Sequence, residues 1–137
     1  MIRLIFSDMD GTLLDDNGDL PAEFGAVYAR LKERGIRFAP ASGRQYASLV
    51  RTFMPWKDEM LFLAENGTMV MEGDRELFTS PVDLAMALEV MRTGEELPGV
   101  QSVFCGKRQA YLYPADDVPN FRTELVKYIS QSTVVED

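Results

Sequence analysis

The chain has 137 residues, 46% of them hydrophobic and 26% charged, a balance that fits one ordinary folded domain and excludes a disordered chain. Its 22 acidic and 14 basic residues leave a net charge of −8, which gives no overall field for nucleic acid. With one cysteine and no histidine, intramolecular disulfides, Ser-His-Asp and Cys-His catalysis and histidine metal sites are all excluded. Chemistry must run on carboxylates, hydroxyls, lysine, arginine or a metal held by oxygen.

No apolar run approaches the ~18 residues of a membrane span. Met1 to Phe6 is too short, and too soon followed by Asp8 and Asp10, for a signal peptide. A lone cysteine, Cys105, suits the cytoplasm.

Residues 2–7 form an apolar run without strict alternation, as expected of a parallel strand buried on both faces. Gly11 to Leu20 is rich in Asp and Gly and reads as a loop or small hairpin. Pro21 opens a helix in which Phe24, Val27, Tyr28 and Leu31 share one face, and Gly35 stops it. Residues 36–41 predict a second buried strand ending at Ser42-Gly43-Arg44. A second helix follows, with Tyr46, Leu49, Val50 and Phe53 on one face and Pro55 at its end. Residues 60–64 predict a third strand, closing at Glu65-Asn66-Gly67. The order β-α-β-α-β signals a parallel sheet covered by helices.

After Gly67 the style changes. Residues 68–71 and 76–78 predict a hairpin, and 81–93 a helix with Leu84, Leu88 and Met91 on one face. Residues 100–105 and 109–113 predict a second hairpin, and 118–130 a last helix using Phe121, Leu125, Tyr128 and Ile129. This is α+β ordering, and the boundary falls near Pro81. Met54, Met60, Met69, Met71, Met86 and Met91 read as core fillers and Trp56 as a packing residue.

The sharpest feature is Asp8-Met9-Asp10-Gly11-Thr12-Leu13-Leu14, directly after the first strand. Ligands of doubly wound sheets bind outside the carboxyl ends of the strands. Two carboxylates one residue apart can divide labour, one attacking and the other shuttling a proton. A hard cation such as Mg2+, which prefers oxygen ligands, would relieve their repulsion. Gly11 allows a turn whose amides form an anion nest. Taken alone, Asp8 and Asp10 also fit a plain turn after a strand. Ser42, at the next strand end, fits either phosphate binding with nearby amides or a plain helix N-cap. Glu65-Asn66-Gly67-Thr68 fits either a site-facing Asn66 or a turn before a hairpin.

Together these motifs resemble the haloacid dehalogenase-like superfamily of phosphohydrolases, and within it the Cof-type sugar-phosphatase branch. The resemblance implies that Asp8 attacks phosphorus to form an aspartyl-phosphate, while Asp10 protonates the leaving oxygen and then activates water. Asp at position 10 favours phosphatases or phosphomutases over dehalogenases and P-type ATPases. Met9, Gly11, Ser42 and Gly43 are implied in phosphate binding, Arg44 and Asn66 in substrate binding, and Asp8 and Asp10 in holding Mg2+. The family also uses a lysine and a later acidic motif. Lys107 and Asp116-Asp117 imitate these, but only eight residues separate Lys107 from Asp116, too few for a parallel crossover. Asp116 and Asp117 therefore read as the cap of the following helix, with Pro119 in its first turn.

The expected fold is α/β: an incomplete Rossmann-like parallel sheet over residues 1–80 as the N-terminal part of the family's core, then part of an α+β cap over 81–137. The expected function is Mg2+-dependent hydrolysis of small phosphorylated metabolites, sugar phosphates foremost, by this chain or by a longer protein that it begins. The alternative is a catalytically inactive remnant, binding phosphate or a partner, or completed by another chain. Neither nucleic acid nor a membrane is expected as partner. Self-association or a missing C-terminal half would cover the exposed sheet edge.

Overall fold

In the computed structural model, which describes Met1–Glu136, the chain divides into two units, residues 1–80 and 81–137. The first carries a five-stranded sheet in the order β1-β2-β3-β4-β5. β1 (Leu4–Asp8), β2 (Arg37–Ala41) and β3 (Leu61–Ala64) run parallel, while β4 (Met69–Glu72) and β5 (Arg75–Thr79) return as an antiparallel hairpin. Helices α1 (Phe24–Glu33) and α2 (Tyr46–Thr52) make the two crossovers.

α1 begins at Phe24 rather than at Pro21. It ends in a Schellman turn: Ile36 N–H donates to Leu31 C=O and Gly35 N–H to Lys32 C=O, both at 2.9 Å, with Gly35 at φ +64°. The core beneath the helices is aromatic. Phe24 meets Phe38, Phe53 and Trp56 edge-on at ring-centroid distances of 5.4, 5.5 and 5.1 Å. Leu49, Phe53, Met60 and Phe62 are fully buried.

Several expectations need correction. β1 is not buried on both faces: it is an edge strand, and Phe6 is 53% exposed. Val27 is half exposed, because the buried line of α1 runs through Phe24 and Tyr28. Pro55 does not end the helical path but lies inside a 3-10 turn, Met54–Glu59, that leads into β3. Met54 and Met86 are exposed, whereas Met60, Met69, Met71 and Met91 are core residues.

The second unit holds α3 (Leu84–Glu95), β6 (Phe104–Cys105), β7 (Ala110–Leu112), α4 (Pro119–Leu125) and β8 (Ser132–Val134). Asp83 caps α3 by accepting the Met86 N–H at 3.0 Å. The buried face of α3 is Ala87, Met91 and Gly94, not Leu84 and Leu88. Gly94 lets Ser102 pack close, since a Cβ would lie 2.2 Å from Ser102 Oγ and make the hydroxyl turn aside. β6 pairs antiparallel with β7 as expected, but β7 also pairs parallel with β8, making a small β-α-β crossover through α4. The predicted helix over 118–130 is thus shorter: Leu125 and Ile129 are buried and Tyr128 is exposed.

Candidate functional site

The registers Asp8↔Ala41 and Ala41↔Leu63 bring the carboxyl ends of β1, β2 and β3 level with one another. The three turns that follow therefore share one edge of the sheet. After β1, Asp10 (φ −74°, ψ 126°) and Gly11 (φ 72°, ψ 5°) form the centre of a type II turn, and Leu14 N–H closes the segment onto Met9 C=O at 2.9 Å. This is not the αR–αL alternation of an anion nest. The Met9 and Leu14 side chains are buried in the core and anchor the turn from below, so Met9 has only its backbone to offer a ligand.

After β2, Ser42 N–H extends the ladder by donating to Leu63 C=O at 2.9 Å, and Ser42 Oγ accepts the Arg44 N–H at 3.2 Å. α2 starts only at Tyr46, with Gln45 as its flanking residue, so Ser42 is not its N-cap. After β3, Glu65, Asn66 and Gly67 are successive left-handed residues at φ 51°, 56° and 87°. Two non-glycine residues in that region cost roughly 1–3 kcal/mol each and persist only where neighbours hold them. Here the neighbours are the β2 turn: Glu65 N–H donates to Arg44 C=O at 3.1 Å and Asn66 N–H to Ser42 C=O at 3.0 Å. The Asn66 carboxamide lies against Gly43, where a Cβ would come within 3.1 Å of Oδ1. Burial pushes the Glu65 carboxyl above the usual glutamate range.

The β1 and β2 turns are joined by charge. Arg44 places Nη2 2.5 Å from Asp10 Oδ1 and Nε 3.2 Å from Asp10 Oδ2, a two-pronged pair whose arginine side chain is only 14% exposed. Asp8 is exposed, and among the described residues its carboxylate has no hydrogen-bond or ion-pair partner. The arrangement therefore presents one free carboxylate, one clamped carboxylate, a hydroxyl and the amides of two tight turns. Both Asp8 and the Asp10 backbone offer oxygen, the donor that suits a hard cation. Among the described residues no cluster of three His, Cys, Asp or Glu side chains exists that could hold a metal ion.

Lys107, Asp116 and Asp117 belong to the second unit. The reading of Asp116 and Asp117 as a helix cap is overturned. Asp116 is buried in a 3-10 turn, Pro114–Asp116, and α4 begins after Val118 with no side-chain cap. Asp117 instead accepts a 2.5 Å ionic hydrogen bond from Arg122 Nε, which holds its carboxyl below the usual aspartate range. Sequence reasoning also missed the pairing of Arg44 with Asp10 and the burial of Glu65. The adjacency of Glu65 to Asn66-Gly67 was the only available signal for the second.

A profile of the haloacid dehalogenase-like hydrolases matches residues 5–137. The chain is 34% identical over 142 residues to the 5-amino-6-(5-phospho-D-ribitylamino)uracil phosphatase YbjI of Escherichia coli, covering 99% of this chain and 52% of that protein. It is 34% identical over 106 residues to the HMP-PP phosphatase of Citrobacter koseri, covering 76% and 39% of the two chains. Among solved structures, SMU.1108c of Streptococcus mutans superposes with a TM-score of 0.89 at 24% identity, over 100% of this chain and 52% of the other. The subclass IIB sugar phosphatase BT4131 superposes with a TM-score of 0.72 at 16% identity, over 99% and 53%. These two structures share the fold. The chain spans about half the length of the curated relative that it matches end to end.

Proposed function

The chain belongs to the haloacid dehalogenase-like hydrolase family, and from that premise we propose that it carries the nucleophile-bearing part of a Cof-type phosphatase of small phosphorylated metabolites, sugar phosphates foremost, acting in the cytoplasm. Residues 1–80 are the N-terminal part of the catalytic core and residues 81–137 part of a cap. The observation that carries this reading is the meeting of the three turns at one sheet edge, with Asp8 free, Asp10 two residues on and Ser42 just past the neighbouring strand. The names of the relatives support the substrate class, since each acts on a small phosphorylated compound.

Asp8 attacks phosphorus and displaces the alcohol, forming an aspartyl-phosphate. Asp10 gives the leaving oxygen its proton and then takes one from the water that attacks the acyl-phosphate. The Ser42 hydroxyl and the amides of Met9, Gly11 and Gly43 receive the phosphate oxygens, and Asn66, packed on Gly43, faces the substrate. The Asp8 carboxylate and the Asp10 main-chain carbonyl would hold Mg2+, which when bound supplies the charge that offsets repulsion between Asp8 and a phosphate dianion. The uncovered edge of β1, with its exposed Phe6, supports completion of the sheet by another strand, from a second copy or from the further length that the relatives have.

The test is the reaction of Asp8. With BeF3− and Mg2+ the protein should form an adduct seen by fluorine NMR, and Asp8→Asn should abolish it together with p-nitrophenyl phosphate turnover. An adduct that survives the substitution would overturn the assignment.

A further inference from the structure

We propose that Arg44 is the positioning residue of Asp10: it fixes the carboxylate that moves the proton, rather than binding the substrate. The proposal rests on the phosphatase reading above and adds to it a role for the guanidinium that clamps the β1 turn.

Asp10 occupies the second position of the type II turn, and its side chain is 51% exposed. Left alone, such a side chain would sample several rotamers, few of them pointing a lone pair at the reacting oxygen. Arg44 removes that freedom. Its Nε and Nη2 engage the two different oxygens of the carboxylate, which fixes the plane of the group as well as its position. A carboxylate has about four lone-pair sites, so two remain for proton transfer.

The clamp is itself held. Arg44 N–H is tied to Ser42 Oγ, and Arg44 C=O accepts the Glu65 N–H. The residue is thus bonded to all three strand-end turns: the β1 turn through its side chain, and the β2 and β3 turns through its backbone. An ordinary surface ion pair contributes little because two long side chains must be immobilised to form it. Here the arginine is mostly buried and its backbone already fixed, so the ordering is local and complete before substrate arrives. The edge of the guanidinium that carries Nε and Nη2 is committed to Asp10, so those two donors are not offered to a substrate.

The experiment measures kcat and KM for p-nitrophenyl phosphate and for an alkyl phosphate, glycerol 2-phosphate, on the full chain. The variants are Arg44→Gln, Arg44→Lys, Asp10→Asn and the double variant Arg44→Gln/Asp10→Asn. Misplacing a catalytic group by about 1 Å costs on the order of 10²-fold, so Arg44→Gln should lower kcat by roughly 10- to 100-fold while KM stays within about twofold. Lysine should recover part of the loss, since it keeps the charge and loses the fork. The alkyl phosphate should suffer more than p-nitrophenyl phosphate, whose leaving group needs less proton transfer. The double variant should be no slower than Asp10→Asn alone. A rise in KM at unchanged kcat, or losses that multiply in the double variant, overturns the proposal. Nitrogen-15 NMR of the Arg44 Nε–H separates this failure from that of the phosphatase reading. If the wild-type protein forms no BeF3− adduct at Asp8 while the signal of the Asp10→Asn variant is shifted from it, the clamp stands and the phosphatase reading falls. A signal indifferent to Asp10→Asn overturns the clamp itself.

Discussion

Two glycines at the site are needed for opposite reasons, and substituting each by alanine should separate backbone strain from steric contact. Gly11 has φ +72° and nothing within 4 Å of where a Cβ would stand. Gly11→Ala therefore carries only the conformational penalty of the left-handed region, about 1–2 kcal/mol. Restricting the unfolded chain returns about 0.4–1 kcal/mol, which leaves a net loss near 1 kcal/mol. With a urea slope of about 1–3 kcal/mol/M, the midpoint should fall by roughly 0.3–1 M. Gly43 has no positive φ, but a Cβ there would stand 3.1 Å from Asn66 Oδ1 and 3.2 Å from Nδ2. The contact is with the exposed end of a side chain, which can turn aside. Gly43→Ala should thus leave the unfolding free energy within about 0.5 kcal/mol of wild type, while moving the Asn66 carboxamide away from the site and raising KM for phosphate esters. Urea unfolding followed by tyrosine and tryptophan fluorescence reads the first effect, and steady-state kinetics the second. A Gly11→Ala variant as stable as wild type, or a Gly43→Ala variant destabilised by more, would refute this division.

Asp10→Asn should slow both formation and hydrolysis of the phospho-enzyme by about 10²–10⁴-fold in rapid-quench measurements; a change below about threefold would move proton transfer to another group. Phe53→Ala should cost about 3–5 kcal/mol in urea unfolding, because the ring is fully buried against Phe24, Phe38 and Phe62; a loss under about 1 kcal/mol would show that the core collapses around the vacancy. Glu65→Gln should gain stability over wild type as pH rises. Burial holds the Glu65 carboxyl above its ordinary 4.5, so the folded state binds its proton more tightly, and that contribution, complete below pH 4.5, is lost as pH climbs through the raised value. Urea midpoints from pH 4 to 8 that stay parallel for the two proteins would refute it.

The first unit was legible because its signals are periodic or punctuated. Apolar runs of four to six residues, each followed by polar or glycine-bearing turns, mark three parallel strands, and the faces of α1 and α2 repeat at helical spacing. The errors lie where a neighbour decides. Phe6 and Val27 are as apolar as Ile5 and Tyr28, but alternation along β1 turns Ile5 to the face that carries the aromatic core and Phe6 to the other, and the rotation of α1 likewise selects Tyr28 over Val27. In the second unit, β8 is three residues long and begins Ser132-Thr133, so it has no apolar pattern to find. It exists because β7 presents a free edge for Ala110, Tyr111 and Leu112 to pair with Ser132, Thr133 and Val134.

At the candidate site, pattern located the turns but not what joins them. Asp8, Asp10, Ser42 and Asn66 stand in motifs because side-chain type and spacing are written in the sequence. The bonds that bind the turns together use mainly backbone groups, Ser42 C=O, Arg44 C=O and the N–H groups of Glu65 and Asn66, and every residue type carries those. The left-handed pair Glu65-Asn66 follows from that stitching: the β3 turn bends back far enough to donate to the β2 turn only with successive positive φ values. Arg44 is the exception that shows the rule. Its side chain was visible in the sequence, yet its partner depended on the level register of β1 and β2, which brings a residue three positions past one strand within reach of a residue two positions past the other. A site built this way tolerates exchange of exposed turn residues more readily than a one-residue slip between β1 and β2. Such a slip would carry Asp10 about 3.3 Å along the strand direction, beyond both prongs of the guanidinium.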